Sequence, residues 1–171
     1  MNQLTWELVP ENSYLQFKVK FLRISQVTGS FERFSCRIRA DPEFTSADIT
    51  ALVDAGSVRT FYEDWDEKML SPAFFATETW PQFTFRATAG CRISGGNIHE
   101  LDGRLTIRDI AREITLIVSF AEVRMNRKRP TAVFHLFTTI RRSEFGLTVP
   151  NEDEIDDEVS LYAVIALTGS G

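Results

Sequence analysis

Side chains that commonly carry out catalysis or bind metals are scarce in this sequence. It has two histidines, His99 and His135, which fall on polar strand positions or in a turn. Neither a G-x-S-x-G nor an H-E-x-x-H motif occurs. A zinc site that combined the histidines with Glu100 or Asp102 would need a convergence that the spacing does not offer. We therefore predict that the protein is not an enzyme and uses neither a metal nor a cofactor.

The two cysteines, Cys36 and Cys91, have neither C-x-x-C spacing nor a nearby pair of histidines. This pattern favours reduced thiols that pack as small apolar residues. A disulfide between them is the alternative, although small secreted domains that use disulfides usually carry several.

Two groups of charged residues are candidates for ion or lipid contact. The acidic run from Asn151 to Glu158 lacks the D-x-D-x-D-G order of an EF-hand loop, so we interpret it as a solvated loop rather than a calcium site. The cluster Arg127, Lys128 and Arg129 lies in a predicted turn between strands. It is typical of a soluble turn, and transient contact with anionic lipid head groups is the alternative.

Arg142 is the single charged residue that we select as a candidate site residue. It follows the strand face from Phe134 to Ile140, which we take to point inward. A buried arginine needs a compensating partner, so we predict a structural ion pair with Glu144, Asp157 or Glu158. A polar contact with a ligand is the alternative.

The overall composition is that of a soluble globular protein without a nucleic-acid partner. The net charge is −5, and the basic residues form no stripe that would match phosphates. The first ten residues have neither a basic segment nor a long apolar run, and no stretch approaches the ~20 apolar residues of a membrane span. We expect a cytoplasmic protein that does not span a membrane, or a periplasmic one if a signal peptide has been removed.

The elements that must position these residues are mostly β-strands. Apolar and polar residues alternate in many segments, as in Leu15–Phe21 and Leu101–Ile107, which is typical of strands with one buried face. Glycines in Ser94–Asn97 predict a hairpin turn, and we place another turn at 109–112. About eight strands follow one another without intervening long helices. This order favours an antiparallel barrel or sandwich in one domain that spans residues 1–171.

One short helix is predicted at about residues 61–70. Thr60 can cap it, and Glu63 occupies the capping-box position three residues later. The spacing of four between its apolar residues places a stripe on one face, formed by Phe61, Trp65 and Met69. The helix leads into Ser71–Phe75, where Pro72 disfavours a strand, so this segment could cover one end of the sheet as a lid or plug.

Phenylalanine is abundant, with 14 of 171 residues. The phenylalanines of the Ser71–Phe75 turn and of the strand that starts near Gln82 can converge on one place. Eight strands enclose a lumen just wide enough to be filled by side chains or to hold one small ligand. The residues alone therefore leave open whether this place is a filled core or a cavity.

Seven motifs, in order along nearly the whole chain, resemble those of the YceI-like family. They are W-x-L-x-P-x-x-S at Trp6–Ser13, F-x-V at Phe17–Val19, G-x-F at Gly29–Phe31, S-P-x-F-F at Ser71–Phe75, W-P-x-F-T-F at Trp80–Phe85, G-x-L-T-I-R at Gly103–Arg108 and R-S-E-F-G-L at Arg142–Leu147. The resemblance implies a lipocalin-like, eight-stranded antiparallel barrel. It also implies an elongated apolar pocket that holds a polyisoprenoid, such as an isoprenoid quinone tail, or another long-chain amphiphile. Most members of that family are not known as enzymes.

The resemblance turns the inward-facing residues into a predicted pocket wall and implies non-catalytic binding, transport or storage of such a lipid. The predicted lining residues are Phe17, Val19, Phe31, Phe74, Phe75, Phe83, Phe85, Leu105, Ile107, Leu116, Val118, Phe120, Phe134 and Leu136. The alternative function is a stress-related or structural barrel with a filled core that acts through its surface. Exposed Phe137 and Tyr162 would then mark the interface of a homodimer.

Overall fold

The computed structural model describes residues 3–22, 24–124, 129–148 and 155–170, with the side chains of all but residues 94 and 121–123. Within these ranges the chain forms twelve strands and one α-helix. The strands are β1 (Leu4–Leu8), β2 (Tyr14–Phe21), β3 (Ser25–Phe31), β4 (Phe34–Ala40), β5 (Ala47–Asp54), β6 (Val58–Arg59), β7 (Gln82–Ala87), β8 (Arg92–Gly95), β9 (Ile98–Ile107), β10 (Ile110–Arg124), β11 (Thr131–Arg141) and β12 (Ile155–Ser170). The helix is α1 (Glu63–Leu70), and short 3-10 turns span Pro10–Asn12, Ala55–Ser57 and Arg142–Phe145.

The strands form one antiparallel sheet that closes on itself. Neighbours follow the order β1-β4-β5-β7-β9-β10-β11-β12, and β12 returns to pair with β1. The N-terminal part of β12 pairs with β2, and β2 continues the course of β1 after the Pro10–Asn12 turn. Three more pairs of strands each occupy one position in the barrel, with an interruption between the two strands. These pairs are β3 with β4, β5 with β6, and β7 with β8. The predicted eight-stranded antiparallel barrel with one short helix is thus confirmed.

Because the sheet is closed, alternate residues of each strand point into the barrel. In β9, Leu101, Gly103, Leu105 and Ile107 are buried, whereas Asp102 and Arg104 between them are exposed. Period-two alternation therefore predicted the direction of these side chains correctly, since successive side chains of a strand point to opposite faces.

Aromatic rings close the end of the barrel where β11 begins and β12 ends. Trp6 is almost completely buried, and its indole Nε1 donates a hydrogen bond to the Ala40 carbonyl at 3.2 Å. The ring of Phe44, from the loop between β4 and β5, lies 4.8 Å from Trp6 and 4.7 Å from Phe134. This packing leaves the opposite end, covered by α1, as the mouth.

The start of α1 differs from the predicted capping box. Thr60 Oγ1 accepts a hydrogen bond from the Tyr62 amide, but the carboxylate that returns to Thr60 belongs to Asp66 rather than Glu63. Phe61 precedes the helix and is 91% exposed, so it does not share a buried face with Trp65. The reason is that the helix begins two residues later than Thr60 capping would place it.

The turn after β9 is shorter than predicted. Ile110 pairs with Ile107, so only Arg108 and Asp109 lie between the strands. Arg108 adopts a positive φ of 57°, which two-residue hairpin turns require and which arginine rarely supplies. The predicted turn at 109–112 is therefore wrong, because β10 starts at Ile110.

Candidate binding cavity

The barrel encloses a cavity of about 680 Å³. This volume lies within the range of ~300–1,000 Å³ that is usual for small-molecule sites. Inward-facing residues of the strands form its wall, and α1 with the segment Ser71–Phe75 lies at its mouth. The interior of the barrel is therefore a cavity rather than a filled core, a choice that the residues alone left open.

The wall includes all but one of the predicted lining residues. Those that line the cavity are Phe17, Val19, Phe31, Phe74, Phe75, Phe83, Phe85, Leu105, Ile107, Leu116, Val118, Phe134 and Leu136. Phe120 instead packs into the closed end, with its ring 4.8 Å from Phe134 and 4.5 Å from His99. Alternation predicts which way a side chain points but not its depth along the barrel axis, and Phe120 lies beyond the bottom of the cavity.

Several lining residues were missed by the prediction. The same alternation that identified β9 and β10 also places part of the wall on β4, β5 and β12, including Ile38, Ile49, Ala51, Leu161 and Ile165. Their pattern in the sequence could have found them. Phe44 could not be found this way, because it comes from a loop in which Asp41 accepts hydrogen bonds from Thr45 Oγ1 at 2.6 Å and the Ser46 amide at 2.8 Å.

Two glycines on the inner face give room to phenylalanine rings. A Cβ at Gly29 would lie 2.2 Å from Cζ of Phe17, and a Cβ at Gly103 would lie 2.3 Å from Cζ of Phe85. Each ring therefore occupies the space where a side chain at the glycine would begin. Because the rings lie against the wall in this way, they line the lumen without filling it.

A chain of aromatic contacts joins the wall to the segment that covers the mouth. The Phe75 ring lies 4.9 Å from Phe83 and 4.7 Å from Phe74, and Phe83 lies 5.5 Å from Phe31. The Phe75 amide donates to the Met69 carbonyl at 3.0 Å, which ties this segment to the last turn of α1. The proline-containing turn and the strand that follows it thus converge on one place.

The helix itself is held more loosely over the barrel. None of its residues is fully buried. Trp65 contacts Phe21 of β2 edge to face, with 5.1 Å between the ring centroids, and both Trp65 and Met69 line the cavity. The apolar face of α1 therefore forms part of the wall, whereas its acidic residues Glu63, Asp64 and Glu67 are exposed.

Arg142 lines the cavity near the mouth and is buried, with 4% of its surface exposed. Its guanidinium donates to three main-chain carbonyls, those of Leu147 at 2.9 Å, Ile155 at 2.8 Å and Asp156 at 3.1 Å. The predicted ion pair with a carboxylate is therefore wrong. The 3-10 turn and the start of β12 bring these three carbonyls together, and the planar guanidinium donates to all of them.

Asp157, one of the predicted partners of Arg142, binds the turn instead. Its carboxylate accepts hydrogen bonds from the Ser143 amide at 2.9 Å and from Ser143 Oγ at 2.7 Å. Burial disfavours the charged form of this carboxylate and by itself would raise its pKa. The hydrogen bonds from Ser143 and the nearby charge of Arg142 outweigh this effect, so the pKa of Asp157 is lowered. Arg142 and Asp157 thus interact through charge while each is bonded to other groups.

Both cysteines are free thiols, as predicted, and they lie in the wall of the cavity. Burial raises the pKa of Cys36 to about 11. Burial, and to a lesser degree the charge of Asp41, raises the pKa of Cys91 to about 11. Near neutral pH these groups are protonated and behave as small apolar side chains.

The histidines lie away from the cavity. His99 packs against Phe120, and His135 lies 3.3 Å from the Tyr162 hydroxyl on the outer surface. In the described ranges, no group of three or more His, Cys, Asp or Glu side chains could hold a metal ion. The helices of these ranges also lack the length and apolar character that crossing a membrane requires.

The two charged segments predicted as loops are described only in part. Residues 151–154 of the acidic run lie outside the described ranges, and 155–158 belong to β12 rather than to a loop. Of the basic cluster, Arg127 and Lys128 lie outside the described ranges.

The chain matches the model of the YceI-like domain over residues 6–167. It is 33% identical over 139 residues to a UPF0312 protein of Staphylococcus epidermidis, a match that covers 80% of this chain and 78% of that protein. A UPF0312 protein of Staphylococcus aureus is 30% identical over 139 residues, again with 80% of this chain and 78% of the relative covered.

Solved structures show the same fold at lower identity. BcnA of Burkholderia cenocepacia is 23% identical, with a TM-score of 0.81 over 93% of this chain and 98% of that one. A polyisoprenoid binding domain from Saccharophagus degradans, implicated in plant cell wall breakdown, is 16% identical, with a TM-score of 0.68 over 98% of this chain and 99% of that one. Since the family model spans nearly the whole chain, and the barrel matches these structures along their length, the chain belongs to the YceI-like family.

Proposed function

We propose that this barrel binds a single long apolar chain, with a polyisoprenoid as the first candidate, and carries or stores it without catalysis. The observation that carries the proposal is the cavity, whose wall is apolar from Phe44 at the closed end to Phe74 and Phe75 at the mouth. The name of the Saccharophagus degradans domain, which shares this fold, supports the same class of ligand.

Simple energetics agree with a chain-like ligand. Each buried methylene contributes ~0.8 kcal/mol, so one five-carbon unit gives at most roughly 4 kcal/mol before costs. Association and ordering cost at least ~4 kcal/mol, so a ligand needs more than one such unit to bind measurably. A wall without acceptors or donors along most of its length suits a chain of repeated apolar units and penalises a compact polar molecule.

The same wall offers little to a reaction. Its two thiols have pKa values of about 11, so only a small fraction of each is the nucleophilic thiolate near neutral pH. Among the described residues that line it there is no histidine. These features support binding over catalysis.

The test is chemical identification of what the barrel holds. Protein purified without added lipid is extracted with organic solvent, and the extract is analysed by mass spectrometry. We expect a long prenyl or acyl species at up to one molecule per chain. The control is the Phe83→Asp variant, which places a charge in the wall. Protein that releases nothing, and that takes up no prenyl or acyl chain when one is offered, would overturn the proposal.

A second candidate role, contact between two copies of the chain, is favoured by a row of apolar residues on the outer surface, in which Phe137 and Ile117 are exposed, whereas Tyr162, which was predicted to be exposed, is half-buried. Phe137, which is 46% exposed, pairs across the strands with Tyr162 on one side and Ile117 on the other. Lys18 on β2 and Asp102 on β9, both exposed, lie on the strands that bound this row. A two-fold axis along β11 would place Lys18 of one copy opposite Asp102 of the other, where Asp102 also pairs with Arg92 of its own chain at 2.7 Å.

Sedimentation velocity across a concentration series tests this second role. We expect a dimer that Phe137→Lys converts to a monomer and that Gln82→Lys, on the exposed face of β7 outside this row, leaves largely intact. A wild-type protein that stays monomeric at high micromolar concentration would eliminate the interface. Lipid retention by Phe137→Lys would show that the two roles are separate.

A further inference from the structure

The charged residues in the wall of the cavity share one sign. Among the described residues that line it, Lys68 and Arg142 carry a full charge, and no aspartate or glutamate is present. The whole chain has a net charge of −5, so this is the reverse of its average composition. The acidic residues of α1 lie next to Lys68 in sequence but not in the wall; they are Glu63, Asp64, Asp66 and Glu67.

Both cations lie at the mouth rather than along the tunnel. Arg142 binds the Ile155 carbonyl, and Ile155 pairs with Phe21 at the end of β2. Phe21 in turn contacts Trp65 of α1, and Lys68 follows one turn later in the same helix. Among the described residues, the wall is therefore apolar at the closed end and has its two charged side chains, both cationic, at the end where a ligand enters.

The two cations differ in how they could act on a ligand. Arg142 is buried and already donates to three carbonyls, so it acts mainly through its charge. Lys68 is exposed, and its flexible side chain can follow a group at the mouth. Low-dielectric walls around a charged opening strengthen the attraction for the opposite charge. An ammonium group forms its strongest hydrogen bonds with carboxylates and phosphates.

From this arrangement we infer that the ligand carries an anionic head group, a carboxylate or a phosphate, on its apolar chain, with the head beside Lys68 at the mouth. This inference rests on the proposed function, since it assigns a head group to the chain that the cavity holds. A neutral head would leave the positive charge at the mouth without a partner from the ligand.

The experiment compares three ligands with the same twenty-carbon prenyl chain: geranylgeraniol, geranylgeranyl phosphate and geranylgeranoic acid. Binding is measured by isothermal titration at low salt and again at high salt. We expect at least one anionic ligand to bind roughly tenfold more tightly than the alcohol, as a charge-assisted contact would give. The preference should shrink as salt screens the exposed lysine. The comparison of acid with phosphate identifies which anion the mouth prefers.

Lys68→Gln and Lys68→Glu test the residue itself. We expect the first to weaken binding of the preferred anion by about fivefold, and the second to weaken it further, with binding of the alcohol unchanged. Arg39→Gln is the matched control, because it removes one positive charge from an exposed site on β4, outside the cavity wall.

The outcomes separate this inference from the proposed function. Equal affinity for all three ligands, unaffected by Lys68→Glu, would overturn the anionic head group and leave chain binding intact. Equal losses in Lys68→Gln and Arg39→Gln would assign the preference to overall charge and would also count against a contact at the mouth. Failure of all three ligands to bind would remove the proposed function and this inference together.

Discussion

Phe17 and Gly29 lie directly opposite each other on β2 and β3, and the Phe17 ring covers the glycine so closely that a Cβ at residue 29 would be 2.2 Å from Cζ. The pair shows how a barrel rich in phenylalanine can stay open. A glycine on the inner face accepts the ring of its neighbour, so the ring lies along the wall and the space in front of it remains available to a ligand.

Gly29→Ala should therefore displace the Phe17 ring into the lumen. We expect a loss of about 1–3 kcal/mol in the free energy of unfolding, as overpacking usually costs, together with weaker retention of a bound chain. Thermal denaturation and ligand extraction measure the two effects. Ser30→Ala, on the outer face, should change neither. The double variant Phe17→Leu and Gly29→Ala should recover part of the stability, and a single Gly29→Ala variant that matches wild type in both measurements would contradict this account.

Phe83 and Gln82 are adjacent residues on opposite faces of β7. Phe83 is buried in the wall and Gln82 is exposed. Phe83→Asp places a charge in an apolar cavity, so we expect a loss of at least ~3 kcal/mol or complete loss of lipid retention. Gln82→Asp should cost no more than ~1 kcal/mol, which allows for its position opposite Asp54. Circular dichroism melting and lipid extraction decide the matter, and similar behaviour of the two variants would refute the assigned faces.

Arg142 holds the 3-10 turn against the start of β12 through three carbonyls. Arg142→Met removes these donors and leaves the carbonyls buried without partners, so we expect destabilisation by about 2–4 kcal/mol. Chemical denaturation measures this difference. Arg141→Met, one residue earlier on the exposed face, should stay within ~0.5 kcal/mol of wild type. If both arginines proved equally dispensable, the network around Arg142 would not be structural.

The cysteines predict a defined pH dependence of thiol reactivity. Because burial raises the pKa of both Cys36 and Cys91 to about 11, only a small fraction is thiolate near neutral pH. Alkylation by iodoacetamide, followed by mass spectrometry, should accelerate about tenfold per pH unit up to that pKa while the protein stays folded. Protein unfolded in guanidinium is the control and should react like free cysteine. A native protein that reacts as fast as the unfolded one at ~pH 8 would contradict the burial of these thiols.

Local sequence patterns were sufficient to predict the strands and most of the inner face, whereas the resemblance to the YceI-like family was needed to choose a barrel over a sandwich. The alternation in Leu101–Ile107 needs no tertiary information, because the side chains of any strand point to alternate sides. The hairpin glycines at Gly95 and Gly96 likewise require only the backbone freedom of glycine, and Gly96 has a φ of 57°. For these features the property that decides the structure belongs to a few consecutive residues.

Other features depended on three-dimensional geometry that no local pattern predicts. Thr60 could pair with Glu63 or Asp66, and only the actual start of α1 selects Asp66. Arg142 was expected to find a carboxylate, but the closed barrel brings the carbonyls of Leu147 and Ile155 to its guanidinium instead. A charged side chain binds whichever acceptors the fold places within reach, and the residues next to it in the sequence do not determine which acceptors these are.

The barrel interior shows most clearly what the sequence determines and what only the tertiary structure decides. The sequence by itself determined that phenylalanines would point to the inner face of about eight strands, since direction follows from alternation. Only the tertiary structure decided that the Phe17 ring lies against Gly29, that Phe120 packs into the closed end, and that a cavity of about 680 Å³ remains between them. Empty space is set by how rings from different strands pack in three dimensions, and no single segment of the chain contains that information.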